Sequence, residues 1–284
     1  MNTVAVLGAG IMGAGIAQAV AMGGYSVILR DLQMGLVKDG LQTINNSLSK
    51  MLARRIITAE EINDTLGRIR GTTDLSELRD TDLVIEAVVE NMAVKRQIFA
   101  ELDHLCPLHT ILATNTSSLS ITEIAASTRR PEKVLGMHFF NPVSSMKLVE
   151  LIRGMDTDQQ TIDQSSGFIE QIGKQPVIVQ RDSPGFIVNR ILVPYLNEAI
   201  FIYGDGLAGK EEIDTAMKLG AGMPQGPLEL ADLIGLDVLY STVLVFYEEY
   251  RDSKYRPHTV FSNMVRAGYL GKKSGRGFYT YNLD

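Results

Sequence analysis

The sequence predicts an α/β domain with a doubly wound, mostly parallel sheet, followed by a second domain made only of helices. From residue 1 to about 180, short apolar runs that fit strands alternate with longer helical runs. Such alternation is typical of a mostly parallel sheet with helices on both faces. Beyond the Asp-Ser-Pro-Gly segment at 182–185 only helical patterns follow, so we expect one domain at 1–183 and another at 184–284.

The elements of both domains follow from their apolar spacing. Strand-like runs lie at 4–7, 25–30, 82–88, 110–113, 134–140, 147–152 and 176–179. Helical runs lie between them, at 14–21, 34–55, 59–66, 92–105, 121–126 and in a segment that ends at 172. Ser120 stands directly before one of these helices and is expected to cap it. The second domain is expected to contain helices at 186–203, 210–219, 227–234, 236–250 and 259–267, with Pro184 early in the first.

A glycine-rich turn joins the first predicted strand to the first helix. It consists of Gly8, Ala9, Gly10, Ile11, Met12 and Gly13. In such a turn the first glycine allows the tight bend, the second lets a pyrophosphate approach the backbone, and the third lets helix and strand pack closely. Backbone N–H groups and the positive end of the helix dipole then face one point, which favours an anion. The turn therefore predicts a dinucleotide-binding domain of the Rossmann type.

Asp31 indicates which dinucleotide is bound. It follows the second predicted strand, 18 residues after Gly13, where this type of site has an acid for the ribose diol. A carboxylate there favours NAD because it would repel the 2′-phosphate of NADP. Arg30 precedes it, and a rearrangement of that side chain leaves NADP open as the alternative.

The composition excludes several classes of protein. A net charge of −6 argues against general nucleic-acid binding, which relies on a broad cationic surface. No apolar stretch approaches the roughly 20 residues that a membrane-spanning helix needs. The single cysteine, Cys106, excludes an internal disulfide framework and a cysteine-based zinc site. Because the first strand begins by Thr3, we expect no cleaved targeting peptide. The single cysteine favours a cytoplasmic protein, and we expect no metal site.

A local basic cluster stands out against this acidic background. Lys50, Arg54 and Arg55 lie on a predicted helix, at spacings that place them near one face. Such a cluster can bind an anionic small molecule, because only local charge matters at a pocket. A solvated basic face is the alternative that these residues alone leave open.

Two segments carry the polar side chains best suited to catalysis. Ser117 follows the predicted strand at 110–113, at the sheet edge where open α/β sheets bind ligands. His138 lies in an apolar strand, and Glu150 lies in the next strand after a turn that contains Asn141. If these strands pair, the carboxylate reaches one imidazole nitrogen, which fixes the tautomer and stabilises the imidazolium. Histidine is the usual general base for a carbinol proton, although a buried structural histidine remains the alternative.

Several motifs together resemble the 3-hydroxyacyl-CoA dehydrogenases, above all the short bacterial enzymes that act on 3-hydroxybutyryl-CoA. The likeness covers essentially the whole chain. Besides the glycine turn, the motifs are Glu86–Asn91, Asn115–Ser118, His138–Pro142, Lys147–Glu150, Asp182–Arg190, Gly226–Leu228 and Gly271–Tyr279, in the family's order. The resemblance implies an NAD-dependent oxidoreductase that interconverts (3S)-3-hydroxyacyl-CoA and 3-oxoacyl-CoA.

The resemblance also implies a role for each matching residue. His138 would be the general acid/base at the 3-oxygen, oriented by Glu150. Ser117 and Asn189 would hydrogen-bond that oxygen or maintain the geometry of the site. The cofactor would be contacted by the glycine turn, with Asp31 at the adenosine ribose, and by Ser117, Glu90, Lys95, Asn141 and Lys273. Lys50 and Arg54 would bind the CoA phosphates, with Ser117 also on the substrate side.

Three other functions remain as alternatives. A 6-phosphogluconate-type dehydrogenase needs a lysine in a glycine-rich helix, and the stretch at 165–174 lacks that pattern. An L-gulonate or λ-crystallin type enzyme acts on a free sugar acid, and the basic cluster of Lys50, Arg54 and Arg55 argues against that substrate. A non-catalytic NAD-binding sensor would have no need of both His138 and Glu150.

The predicted helix at 236–250 suggests an oligomer. It is apolar around most of its circumference, so either its own small core or a second subunit must cover it. We expect a homodimer built largely through the second domain.

Overall fold

The structure is a computed structural model, and it describes residues 1–282. The chain forms two compact units, Met1–Ser183 and a second that begins at Pro184. The first unit is α/β and the second is helical, as the sequence predicts. Each unit has a hydrophobic core of its own.

The first unit is built on one sheet of eight strands in residues 1–183. The strands are β1 (Thr3–Leu7), β2 (Ser26–Arg30), β3 (Ile69–Thr72), β4 (Leu83–Glu86), β5 (Ile111–Thr114), β6 (Val134–Phe139), β7 (Leu148–Arg153) and β8 (Gln175–Val179). Their order in space is β3-β2-β1-β4-β5-β6-β7-β8. The β6–β7 pair is antiparallel and the other neighbouring pairs are parallel. The order reverses between β1 and β4, which is where ligands bind in open sheets of this kind.

Helices cover both faces of this sheet. They are α1 (Ile11–Met22), α2 (Met34–Ala53), α3 (Ala59–Gly67), α4 (Met92–Leu105), α5 (Ile121–Ala125) and α6 (Gln159–Gln171). Ser120 caps α5 as predicted, because its hydroxyl accepts a hydrogen bond from the backbone N–H of Glu123. Asn91 caps α4 in the same way.

Strand β3 is absent from the sequence-based prediction. Its four residues, Ile-Arg-Gly-Thr, include one large apolar side chain and a glycine, so they lack the pattern of a buried strand. The strand lies at the edge of the sheet, where it pairs with β2 alone. Pairing with a stronger neighbour, and not local propensity, therefore decides its conformation.

The second unit contains five α-helices in its described part, residues 184–282. They are α7 (Val188–Gly204), α8 (Lys210–Gly220), α9 (Pro227–Ile234), α10 (Leu236–Tyr250) and α11 (Thr259–Arg266). The buried face of α10 carries Leu236, Leu239, Val243 and Phe246 and packs in the unit's own core. No single helix in residues 1–282 is long and apolar enough to span a membrane; α9 and α10 pass that test only as a pair, and they meet at 98°.

The first helix of the second unit begins later than predicted, and Pro184 is not inside it. Gly185 and Phe186 have left-handed backbones, with φ of +79° and +50°, so the helical hydrogen bonding starts at Val188. A Cβ at Gly185 would lie 2.1 Å from Cζ of Phe246, which explains why a glycine stands there. The carbonyl of Pro184 accepts a hydrogen bond from the Tyr250 hydroxyl at 2.9 Å, which ties this entry segment to α10.

A buried carboxylate holds the C-terminal segment on α9. Asp232 accepts hydrogen bonds from the backbone N–H groups of Phe278 and Tyr279 and from the Tyr281 hydroxyl. Burial raises the pKa of this carboxyl. Gly277 lies so close to it that a Cβ would be 1.9 Å from Asp232 Oδ1. The segment is therefore an integral part of the second unit.

Candidate active site

The glycine turn lies at the carboxyl end of β1, beside the point where the strand order reverses. Gly8 has φ of +95°, and a Cβ there would lie 2.5 Å from the carbonyl oxygen of Ala87. At Gly13, inside α1, a Cβ would lie 1.7 Å from the carbonyl oxygen of Gly8. These two positions admit only glycine because backbone already occupies the space that a side chain would need.

Gly10 requires a different explanation, because a Cβ there would meet no protein atom within 4 Å. It has ordinary extended dihedrals, φ −67° and ψ −172°, and stands as the N-cap of α1. The open space therefore lies directly in front of the helix N-terminus, whose first N–H groups have no partner within the helix. This combination fits the pyrophosphate of a dinucleotide.

Asp31 is positioned beside this turn. Its Oδ2 accepts the backbone N–H of Ala9 at 2.7 Å, and its Oδ1 accepts that of Leu32 at 2.7 Å. Each carboxylate oxygen has a second lone-pair site, so the oriented group can still accept a ribose hydroxyl. The preceding Arg30 donates through Nε to the carbonyl of Thr73 at 3.3 Å. The residues present at this edge fit NAD.

His138 and Glu150 are directly opposite each other in the antiparallel β6–β7 pair. The imidazole Nδ1 lies 2.8 Å from Oε2 of Glu150. Glu150 is fully buried and His138 is 6% exposed, so water does not weaken the contact. The ring of Phe140 lies against the imidazole, with 4.5 Å between ring centroids. The sequence-based prediction that the carboxylate reaches one imidazole nitrogen is confirmed.

The segment after β5 brings Ser117 to the same edge of the sheet. Asn115 accepts the backbone N–H of Phe139 through Oδ1 at 2.8 Å, which joins the ends of β5 and β6. The backbone N–H of Ser117 donates to Glu90 Oε1 at 3.2 Å, and the hydroxyl of Thr116 donates to the same oxygen. Glu90 therefore orders the turn that carries Ser117.

Sequence reasoning placed Glu90 and Lys95 at the cofactor but missed their partner, Glu86. Lys95 is 1% exposed; its Nζ lies 2.6 Å from Glu86 Oε1 and 3.3 Å from Glu90 Oε2. The structure brings Lys95, Glu90 and Ser117 together, but it places the ammonium of Lys95 in a buried ion pair. The sequence offered one signal for Glu86, because an acidic residue at the end of the apolar strand 83–86 needs a partner when it is buried.

Asn141 stands on the turn between β6 and β7. This turn is held by Lys174, whose Nζ donates to the carbonyls of Val143 and Met146 at 2.6 and 2.7 Å. Burial lowers the pKa of Lys174. Val143 also packs against Gly15 of α1, where a Cβ would lie 2.9 Å from the valine Cβ. The turn is thus fixed to the helix that begins at the glycine motif.

The remaining predicted residues lie at the end of α2 and in the second unit. Lys50 stands in the last turn of α2, Arg54 is the residue that ends that helix, and both are exposed. In the second unit, Asn189 stands in the first turn of α7, and Lys273 forms an ion pair with Asp237. In residues 1–282, no group of three or more His, Cys, Asp or Glu side chains is arranged to hold a metal ion.

Both units of the chain match models of known protein families. Residues 3–183 match the model for the 3-hydroxyacyl-CoA dehydrogenase NAD binding domain, and residues 185–281 match the model for that enzyme's C-terminal domain. A 3-hydroxybutyryl-CoA dehydrogenase from Clostridioides difficile is 51% identical over 98% of this chain and 99% of the relative. Another from Bradyrhizobium diazoefficiens is 49% identical over 99% of this chain and 96% of the relative.

A solved structure gives the same result in three dimensions. The (S)-3-hydroxybutyryl-CoA dehydrogenase from Ralstonia eutropha has a TM-score of 0.96 to this chain. It is 47% identical and the match covers 99% of both chains. With a Rossmann-type unit that fits NAD, a buried His–Glu pair and matches to both family models, this chain belongs to the 3-hydroxyacyl-CoA dehydrogenase family.

Proposed function

We propose that this chain interconverts (3S)-3-hydroxybutyryl-CoA and acetoacetyl-CoA with NAD(H). The observation that carries the proposal is the buried contact between His138 Nδ1 and Glu150 Oε2 in the unit that holds the glycine turn. A histidine oriented by a carboxylate suits proton exchange with a carbinol oxygen near neutral pH. The relatives named 3-hydroxybutyryl-CoA dehydrogenase support the choice of a short acyl chain.

His138 performs the proton transfer. Because Glu150 engages Nδ1, the proton exchanged with the 3-oxygen of the substrate is carried by Nε2. In the oxidising direction Nε2 accepts the hydroxyl proton, and the carboxylate of Glu150 stabilises the imidazolium that forms. In the reducing direction the imidazolium polarises the 3-oxo group and then protonates the alkoxide. When bound, NAD supplies the two-electron chemistry, by exchanging a hydride with C3 at the nicotinamide ring.

Ser117 and Asn189 complete the proposed set of polar groups at the 3-oxygen. Each can donate a hydrogen bond, and donors that are already oriented stabilise charge as it develops on that oxygen. The turn that carries Ser117 is ordered by Glu90, and its neighbour Asn115 ties it to the end of β6. Asn141, on the turn that Lys174 holds, is proposed to line the nicotinamide end.

The direct test is to mix the protein with NADH and acetoacetyl-CoA and to follow the oxidation of NADH by the absorbance of its reduced nicotinamide. We expect the protein to turn over acetoacetyl-CoA. The rate is expected to decline as the acyl chain is lengthened and to be higher with NADH than with NADPH. Tight NADH binding without turnover of any acyl-CoA would instead favour a sensor. A 6-phosphogluconate-type enzyme would need a lysine for its chemistry. The lysine of the stretch at 165–174 is Lys174, and its ammonium is held by two backbone carbonyls.

The basic residues at the end of α2 are proposed to bind the phosphates of CoA. Replacing Lys50 and Arg54 with alanine is expected to raise KM for acetoacetyl-CoA by about 5- to 20-fold, because two exposed cations are lost from a phosphate site. We expect little change in kcat, since neither residue takes part in the reaction. Steady-state kinetics at several salt concentrations measure both constants.

The same experiment has an internal control in the exposed Arg79, the residue after the short helix Leu75–Leu78. Arg79→Ala removes one cation outside α2 and is expected to leave KM unchanged. Added salt should raise the wild-type KM and have a smaller effect on the double variant, because salt screens exposed charges. A wild-type KM in the double variant would show that Lys50 and Arg54 do not bind CoA and only form a solvated basic surface.

We further propose a cytoplasmic homodimer that forms through the second unit. Its described part exposes several large apolar side chains, among them Leu207, Leu219, Val238 and Tyr247. Val238 and Tyr247 lie on α10 and are exposed, although this helix packs in the core through Leu236, Leu239, Val243 and Phe246. Light scattering coupled to size-exclusion chromatography is expected to give twice the chain mass, and a monomer at micromolar concentration would contradict the proposal.

A further inference from the structure

Glu86 is a buried carboxylate that the proposed mechanism does not use. It is the last residue of β4 and is 0% exposed. Its neighbours in the sheet are Leu7 at the end of β1 and Thr114 at the end of β5. Glu86 therefore lies at the centre of the sheet edge that carries the glycine turn and the segment with Ser117.

Every contact of Glu86 holds a part of this edge. Its Oε1 accepts the backbone N–H of Val88 at 2.7 Å and the ammonium of Lys95 at 2.6 Å. Its Oε2 accepts the hydroxyl of Thr114 at 2.7 Å. A carboxylate removed from water needs such partners, because an unpaired buried charge is strongly destabilising. One side chain thus joins the end of β4, the first turn of α4 and the end of β5.

The network continues from Lys95 towards the reacting groups. Lys95 Nζ also lies 3.3 Å from Glu90 Oε2. The other oxygen of Glu90 accepts hydrogen bonds from Thr116, from the backbone N–H of Ser117 and from the hydroxyl of Ser118. The side chain of Glu90 is 40% exposed, whereas those of Lys95 and Glu86 are buried. The buried end of the network therefore anchors the exposed end.

Stability alone gives no reason for charges at this place. A buried ion pair is often no more stabilising than apolar side chains of the same volume. An ion pair with hydrogen bonds does, however, fix orientation, because the carboxylate and the ammonium impose directions that apolar packing does not.

We propose that Glu86 is a positioning residue of the reaction, which acts through Lys95 to fix Glu90 and the turn that carries Ser117. The inference rests on the proposed function for the roles of Glu90 and Ser117 at the cofactor and the substrate. Misplacement of groups at a reacting centre by about 1 Å lowers rates by about 100-fold, so the loss of such an anchor affects turnover more than stability.

Glu86→Gln is the variant that tests this inference. The amide keeps the volume, its oxygen can accept from Val88 and Lys95, and the Thr114 hydroxyl can rotate to accept from its NH₂ group. The charge that holds Lys95 is lost, and the Thr114 hydroxyl no longer donates to this side chain. We expect kcat/KM for acetoacetyl-CoA to fall by about 10- to 100-fold, and the NADH dissociation constant from fluorescence titration to rise several-fold.

Asp103→Asn is the matched control. Asp103 is a buried carboxylate on the same helix, α4, where it pairs with Arg129 and Arg130 near the opposite end. The substitution removes the charge from a comparable buried pair without touching the network around Glu86. Both variants are assayed well below their unfolding midpoints, and Asp103→Asn is expected to keep kcat/KM and the NADH dissociation constant despite a similar loss of Tm.

Thr114→Val provides a second variant in case Glu86→Gln does not fold. It removes the hydrogen bond that Thr114 donates to Glu86 and the one that Thr114 accepts from the Thr116 N–H at 3.3 Å, and it keeps the ion pair with Lys95. A loss in the same direction is expected. Wild-type kinetics and NADH binding in the folded Glu86 or Thr114 variants, or equal kinetic losses in Asp103→Asn, would overturn the inference. A wild-type protein that does not turn over acetoacetyl-CoA would instead overturn the proposed function, and the NADH titrations would still decide the role of Glu86.

Discussion

Replacing His138 with alanine is expected to lower kcat by about 100-fold or more while the NADH dissociation constant stays near that of the wild type. The imidazole is the group proposed to exchange a proton with the 3-oxygen, and the glycine turn proposed to bind the dinucleotide is a separate part of the first unit. Steady-state kinetics with acetoacetyl-CoA and NADH, together with fluorescence titration of NADH, measure the two quantities.

Two further variants separate chemistry from packing. His138→Gln fills more of the space than alanine and can still donate a hydrogen bond to Glu150, so it should be more stable than the alanine variant and equally slow. His109→Ala removes an exposed histidine from the same unit and is expected to keep wild-type turnover. Near-normal turnover in either His138 variant would remove this residue from the mechanism.

The contact between His138 and Glu150 could be predicted because the two residues lie on strands that follow each other in the chain and are joined by a turn. Antiparallel register places the two residues directly opposite each other, and side chains at opposite positions lie on the same face. The fold class was predictable for a similar reason, since the alternation of apolar runs repeats along the whole first unit. Element boundaries moved by only a few residues.

The network around Glu86 could not be predicted, because its members come from three elements. The sequence does not show how the side chains of these elements are placed against one another. Whether Lys95 points to solvent or into the sheet depends on how α4 packs on β4 and β5, and an exposed lysine is the usual case. The entry to α7 escaped prediction for a different reason. Phe186 adopts a left-handed backbone that is rare for an aromatic residue, and contacts with α10 favour it over continuation of the helix.

A pair of glycine variants should separate folding from cofactor binding. Gly13→Ala is expected to lower the Tm of the protein without ligand by about 5–10 °C, because its Cβ would lie 1.7 Å from the carbonyl oxygen of Gly8 and the turn must shift. The shift also displaces the turn that is proposed to hold the pyrophosphate, so the NADH dissociation constant should rise as well. Thermal unfolding with and without NADH measures both effects.

Gly10→Ala should give the opposite pattern. Its Cβ meets no protein atom within 4 Å and its backbone suits any residue, so the Tm without ligand should stay within about 1–2 °C of the wild type. The methyl group would occupy the space in front of α1, so the NADH dissociation constant should rise by about tenfold or more, and the rise in Tm that NADH causes should shrink accordingly. Only a ligand that lies against the turn explains a substitution that is harmless to the protein alone and harmful to its complex. Wild-type NADH affinity in Gly10→Ala would therefore place the pyrophosphate elsewhere, whatever the outcome at Gly13.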